Sequence, residues 1–386
     1  MHDVDPSLAA PASFAPPDEA TSVVFADQRS DFISLVMRGA ALEFVTAGFY
    51  RFWLATDMRR HLWSRTSVGG DAPEYNGTAK ELFIGFLFAM AILLPIYVIY
   101  FLLGLEAERM QAFASIPLGL FFYLFMQFAV YRARRYRLTR TVWRGVRFGM
   151  GGSGWNYAWR AALWTLFATI TLGLALPWRQ AALERFKMRH TAYGDLQGGF
   201  VGTGWEFFKR GWWIWLLMWP SVFLLVPLPF LWGAFKAVEW RWWISGLRFG
   251  EVRCESRLPG SALFDLYWKV IGWSTFLSVV LSTIIGLVAG MYASLVGDKG
   301  ADTTPADSVL AILQPGVIIP AAILYIVAAL LFVAVTRIYL IHDIWKRVAE
   351  TTTIHNLSAA DNVNVQGTTV NAIGEGFADS LDIAGF

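Results

Sequence analysis

Long apolar stretches without a single charge dominate this chain, and they restrict what it can fold into more than any other feature. A helix needs about 20 apolar residues to cross the hydrocarbon core of a bilayer. Five uncharged stretches reach that length: Leu82–Leu105, Met110–Tyr131, Gly211–Phe235, Val270–Gly297 and Gly316–Thr336. A sixth, Ala161–Trp178, is shorter, and a seventh, Phe32–Tyr50, is interrupted by Arg38 and Glu43. A charge at the bilayer centre costs at least about 2.5–3.5 kcal/mol, so the seventh is a poor free-standing span. The composition agrees. Only 16% of residues are charged and 56% are hydrophobic, where a soluble domain carries about 25% charged residues. The 19 Trp suit membrane interfaces. A net charge of +3 gives no global field for nucleic acid. The single Cys254 excludes an intramolecular disulfide. His2, His61, His190, His342 and His355 are scattered without metal-ligand spacing. No phosphate-binding loop, dinucleotide fingerprint or zincin motif is present. The sequence therefore predicts no cofactor, no metal and no enzymatic activity.

A pattern recurs without gaps at an offset of 125. Thr46, Gly48, Trp53, Arg60, Thr66, Gly69, Gly77, Thr78, Glu81 and Phe83 align with Thr171, Gly173, Trp178, Arg185, Thr191, Gly194, Gly202, Thr203, Glu206 and Phe208. Gly145-Val146-Arg147-Phe148-Gly149 also returns as Gly246-Leu247-Arg248-Phe249-Gly250. Such self-similarity points to a modular architecture. Charge supplies the orientation, because Lys and Arg accumulate in cytoplasmic loops. The basic loops Arg51–Lys80, Arg132–Arg147, Trp178–Gly211 and Arg241–Lys269 all call for the cytoplasm, while Glu106–Arg109 and Asp298–Asp307 call for the outside. If Ala161–Trp178 crossed the bilayer, the basic loops on its two sides would lie on opposite faces. We therefore expect Phe32–Tyr50 and Ala161–Trp178 to enter and leave on one face. The predicted fold is an all-α polytopic integral membrane helical bundle built from degenerate repeats. It has six full spans plus two short re-entrant or interfacial helices, or eight spans. Both termini are placed in the cytoplasm. Residues 1–30 read as a disordered lead-in, 31–150 as a first membrane unit, 151–260 as a second and 261–350 as a divergent third. Residues 351–386 read as a mobile tail in which Ile373, Phe377 and Leu381 space a short amphipathic helix.

Several motifs together resemble a known family. They are Phe49-Tyr50-Arg51-Phe52-Trp53, the segment from Arg59 to Thr66, the loop Gly70-Asp71…Glu74-Tyr75-Asn76-Gly77-Thr78…Glu81-Leu82, Thr171-Leu172-Gly173…Pro177-Trp178, Arg144–Gly149 and the terminal Gly374–Asp379. The chain resembles the YjgN-like bacterial inner-membrane proteins from about Ser30 onward. That resemblance implies a multi-pass inner-membrane protein and carries no assigned activity. The sequence departs from the pattern in its last third, where the pair Val270–Gly297 and Gly316–Thr336 stands in place of one short segment.

Candidate site residues follow from the recurring loops and the basic segments. Glu81 and Glu206 open membrane helices, and Thr78 and Thr203 precede them at capping-box spacing, so capping competes with ligand contact. Arg60 and Arg185 lie in basic helices beside the membrane, where anionic headgroups bind and where the orientation bias also places arginine. The dense run containing Arg132, Arg134, Arg135, Arg144 and Arg147 is the best lipid-binding candidate. Expected partners are membrane lipids with anionic headgroups, and a second copy or another membrane protein, without nucleic acid. Two functions stay open. One is a transporter or channel for an unknown substrate, since short interrupted segments are where transporters build their sites. The other is a non-transporting scaffold that contacts anionic lipid.

Overall fold

The computed structural model describes residues 20–107, 115–224, 227–296, 315–364 and 379. The chain alternates pairs of helices with pairs of strands. After β1 (Ala20–Phe25) come α1 (Arg29–Val45) and α2 (Arg51–Arg65), then β2 (Thr66–Val68) and β3 (Glu74–Tyr75). The long helices α3 (Ala79–Ala107) and α4 (Ser115–Thr139) precede β4 (Thr141–Trp143) and β5 (Val146–Met150). Short helices α5 (Gly154–Ile170) and α6 (Leu176–Arg189) precede β6 (Thr191–Tyr193) and β7 (Leu196–Phe200). Helices α7 (Gly204–Leu224) and α8 (Leu228–Gly246) precede β8 (Leu247–Phe249) and β9 (Val252–Ser256). The last set is α9 (Phe264–Val296), α10 (Pro315–Thr336), a π-helical stretch Arg337–Asp343, α11 (Ile344–Glu350) and β10 (Thr352–His355), followed by a 3-10 turn at Leu357–Ala360.

All ten strands join one antiparallel sheet in the order β2-β1-β10-β9-β8-β7-β6-β5-β4-β3. The expected all-α bundle is thereby corrected to a helical ring capped by a curled sheet. The strands escaped a sequence reading because each is two to six residues long. Alternation over so few positions cannot be told from loop. Their turns are nonetheless written in the chain. Trp143 pairs with Val146 across Arg144 and Gly145, both at positive φ (46° and 76°), which is the two-residue turn that matches strand twist. Gly194 and Gly250 open the equivalent loops of β6–β7 and β8–β9. The sheet is curled into a half-barrel, with β2 at one end and β3 at the other. Its edge strands β2 and β3 are consecutive in the chain, Val68 bridges to Asp71, and the Trp143 indole donates to the Asp71 carbonyl. Inside the curl, Trp143, Val146, Tyr193 and Val252 pack on Leu357 and Ala360, so the segment after β10 fills the sheet's own interior.

Each helix pair leaves the sheet and returns to it. Helices pack side by side from α1 to α3 and from α4 to α10, an alanine cluster links α3 to α4, and α10 packs on α1, so the helices close into a ring. Ala89 of α3 shares a buried cluster with Ala129 and Ala133 of α4. The outward faces are apolar instead of polar: Ile84, Leu87, Leu94, Tyr97 and Ile99 of α3 are all exposed. A soluble surface avoids such a patch, and lipid covers it. Among the described residues, three helical stretches are long and apolar enough to cross a membrane, namely Ala79–Leu102, Phe264–Val288 and Ile318–Glu350. That is fewer than the six or eight spans expected from counting apolar runs.

The two short segments do not form single helices. Phe32–Tyr50 is most of α1 plus a turn, and Ala161–Trp178 is the end of α5, a turn and the start of α6. The Thr-x-Gly motif makes both reversals in one way. The Thr46 hydroxyl donates to the Leu42 carbonyl at 2.7 Å and accepts the Tyr50 N–H at 3.0 Å. The Thr171 hydroxyl donates to the Phe167 carbonyl at 3.0 Å and accepts the Ala175 N–H at 3.1 Å. Gly48 and Gly173 follow at φ +88° and +87°, a region glycine enters without steric cost. Two further corrections concern the termini. Ala20–Phe25, within the expected disordered lead-in, is a paired strand, and Thr352–Ala360, within the expected tail, lies in the sheet and its plug. The amphipathic helix through Ile373, Phe377 and Leu381 lies outside the described residues.

Backbone geometry gives a direct test. Gly152 has φ +76°, and a Cβ there would stand 2.5 Å from the Tyr131 hydroxyl and 2.6 Å from the His190 ring. Gly152→Ala should destabilise the protein by about 1–3 kcal/mol. Gly119→Ala, on α4 with open space around it, should cost nothing and can gain up to about 1 kcal/mol. Denaturation of the two variants in detergent micelles checks the contrast.

Candidate functional site

The even-numbered helices return to the sheet, and their inner faces meet beneath it. Residues from α4, α6 and α8 touch there although α5 and α7 separate those helices around the ring, so contact is possible only toward the axis. Arg134 of α4 donates to Glu184 of α6 at 3.3 Å. The Trp243 indole of α8 donates to the same carboxylate at 3.0 Å, and Lys187 pairs with it one turn along α6. Arg59 of α2 and Arg137 of α4 flank the Asp379 carboxylate beside them. Tyr75 of β3 accepts a hydrogen bond from Arg59 at 3.3 Å. Arg59, Glu184 and Asp379 are buried. The wall alongside is aromatic, with Trp63 stacked on Trp345 at 5.1 Å.

Electrostatics keep the Glu184 carboxyl and the Arg59 guanidinium ionised. Burial works to raise the Glu184 pKa, but the adjacent Lys187 and Arg134 charges and the Trp243 N–H overcome it and hold the carboxyl below the ordinary range. Burial likewise opposes the Arg59 charge, and the Asp379 carboxylate reverses the balance and raises its pKa. Charges this enclosed persist only when paired and hydrogen-bonded.

A second cluster lies where the ring closes. Asp27, in the turn between β1 and α1, has no solvent-exposed side-chain surface. Its two oxygens meet the ring nitrogens of His61 at 2.9 Å and His342 at 2.7 Å. The other His342 nitrogen faces Asp343 at 2.8 Å, and Arg29 holds Asp343 through two hydrogen bonds. His342 sits in the π-helical stretch, and such wide turns are frequent at functional positions. Among the described residues, no cluster of His, Cys, Asp and Glu could hold a metal ion.

The sequence-derived candidates are mostly spent inside the fold. Arg60 and Arg185 donate to the carbonyls of Gly77 and Gly202, at 2.8 and 3.4 Å, and so brace the same turn at two places. Glu206 and Thr203 exchange hydrogen bonds as a capping box. Glu81 instead turns to the Tyr136 hydroxyl and Arg140, at 2.7 and 2.9 Å. Arg144 pins Asp71 and Asp361 while lying on the Trp143 ring. Arg147 donates to the Thr139 carbonyl at 2.7 Å, and Arg132 lies over Phe128. Arg135 is half-buried on α4, and Arg134 alone of the candidates belongs to the charged centre. Missed were Arg59, Arg137, Lys187, Glu184, Asp379, Asp27 and the two histidines. One signal was available: at the offset of 125, Arg59 faces Glu184, a charge reversal amid identities.

A charged centre inside a membrane-associated helical ring, capped by a curled sheet, defines this class of protein. The chain belongs to a family of bacterial proteins of unknown function, DUF898, whose family model matches residues 20–239. It is the YjgN-like family that the motifs pointed to. No curated protein and no solved structure matches the chain.

The Glu184 site has a signed pH consequence. A carboxyl with a depressed folded pKa contributes stability above its unfolded value, near 4.5, that disappears as pH falls through the folded value. Glu184→Gln should cost about 3–5 kcal/mol at neutral pH, because Lys187 and Arg134 lose their counter-charge. It should also flatten the acid limb of a Tm-against-pH profile below pH 4.5, and thermal melts from pH 3 to 8 read both effects.

Proposed function

We propose that the chain is a multi-pass protein of a bacterial cytoplasmic membrane, with its sheet and both termini in the cytoplasm. Its working site, on this reading, is the charged centre, where it binds an anionic solute as a transporter or channel-like protein. The centre carries the proposal. Arg59, Arg134, Arg137 and Lys187 gather against Glu184 and Asp379 inside a membrane-associated ring, and ionisable groups enclosed in a membrane protein are functional candidates by default.

The topology rests on the same-face return of every helix pair. α3 with α4, and α9 with α10, reach across the bilayer. The shorter pairs dip in from the sheet side. Their tips support this, because Val45, Ile170 and Leu172 are 78%, 71% and 69% exposed and suit hydrocarbon better than water. The basic ends of the helices lie beside the sheet, and the positive-inside bias puts that end in the cytoplasm. A second reading, a scaffold that contacts anionic lipid without transport, is favoured by these apolar tips together with exposed Arg51, Arg65, Lys80, Arg189 and Arg210.

Thiol labelling tests the topology. The native thiol needs removal first, although burial pushes Cys254 up to about 11 and slows its reaction near neutral pH. In a Cys254→Ser background, Asp195→Cys should resist a membrane-impermeant maleimide in intact cells and react in inverted vesicles. Leu172→Cys should resist from both sides. Labelling at position 195 from outside contradicts the arrangement. Flux of organic and inorganic anions in proteoliposomes separates the two functions: none across the panel, with anionic lipid retained on purification, favours the scaffold.

A further inference from the structure

The Arg59 guanidinium holds the Asp379 carboxylate through both of its terminal nitrogens. Nη1 meets Oδ2, and Nη2 meets Oδ1 at 3.1 Å. Arg137 closes on Oδ1 from the other side, with Nε at 3.5 Å. Tyr75 orients the fork by accepting from Nη1 at 3.3 Å. A planar two-pronged arginine is the standard protein reader of a carboxylate, and its rigid geometry separates carboxylate from spherical anions. Arg59 and Asp379 are 2% and 5% exposed, so water competes little for the pair.

The origin of the carboxylate matters. Arg59, Arg137 and Tyr75 belong to α2, α4 and β3, whereas Asp379 comes from beyond β10 and the plug at Leu357–Ala360. A carboxylate needed only to balance Arg59 could stand on another helix, as Glu184 of α6 does for Arg134 of α4.

We propose that Arg59 and Arg137 form a binding site for the carboxylate of an external ligand, an organic acid, and that Asp379 is the internal occupant with which this ligand competes. The proposal rests on the reading of the charged centre as the working site, and it narrows the anion to a carboxylate. That carboxylate can come from a soluble acid or from the head of a fatty acid in the bilayer. Succinate and oleate serve as the two probes.

The test uses the full chain in detergent micelles, with binding of radiolabelled succinate or oleate measured by equilibrium dialysis. Asp379→Asn removes the internal charge while keeping the side-chain shape. It should bind at least one probe about tenfold or more tighter than the wild type does. Adding Arg59→Lys should abolish that gain, since an ammonium cannot form the fork. Chloride and inorganic phosphate should not compete. Succinate alone identifies a soluble acid as the ligand, and oleate alone a membrane lipid; either supports the site. Equal binding in wild type and Asp379→Asn, or a gain that survives Arg59→Lys, overturns it. If Asp379→Asn does not stay monodisperse, hydrogen exchange on the wild type takes its place. A saturating probe should then deprotect the backbone amide of Asp379 without altering α2, and no change overturns the proposal. Binding without flux would leave this site standing and remove transport. Flux without carboxylate binding at Arg59 would do the reverse.

Discussion

Hydrogen bonding between β1 and β10 closes this molecule. Ala20 lies opposite His355, so the pairing joins the first described strand to the last one. Bringing such distant segments together carries a loop-closure cost that grows only slowly with length. The pairing returns a great deal for it. It joins the β1–β2 pair to the other eight strands as a single ten-stranded sheet whose edge strands are short. Such short edges leave little backbone for a foreign strand to pair with. Beneath the sheet the closure brings α10 against α1, and Asp27 sits at that seam between His61 and His342. The polar clasp and the strand pairing thus hold one joint from two levels.

From that closure follows the interior. A ring of helices that all return to one end must face its return helices inward near the sheet. Basic residues at helix C-termini are favourable to the helix dipole, and here they converge. Arg137 and Lys187 lie in last turns, Arg59 joins them from the middle of α2, and Glu184 and Asp379 supply the negative charge among them. The charge excess that positive-inside bias places near a membrane surface is therefore partly folded inward and does not all face the headgroups.

The candidate site was only partly legible for this reason. Positive charge beside the membrane could be read off directly, and Glu206 with Thr203 behaves as its spacing foretold. Which arginines face the axis could not be read. Arg59 and Arg60 are adjacent in sequence, yet Arg60 braces the carbonyl of Gly77 and Arg59 enters the buried centre. A rotation of about 100° per residue along a helix separates the two fates, and only the position of the neighbouring helices decides which side is inside. His61 and His342 stand far apart in the sequence, and their common partner Asp27 is brought to them by the closing strand.

By itself the sequence determined the chemistry of the outer surface and the points of reversal. Uncharged apolar runs must meet lipid, a Thr-x-Gly turn must reverse a helix, and glycine must supply positive φ at Gly48 and Gly173. These are local demands of solvation and backbone sterics. The ten-stranded sheet, the closed ring and the charged centre were decided by tertiary structure alone. Each strand is too short to pair stably in isolation and gains its partners only when the helix pairs line up side by side. The apolar runs therefore announced membrane association, while the short strands and the charged residues between them, once brought together, built the sheet and the site.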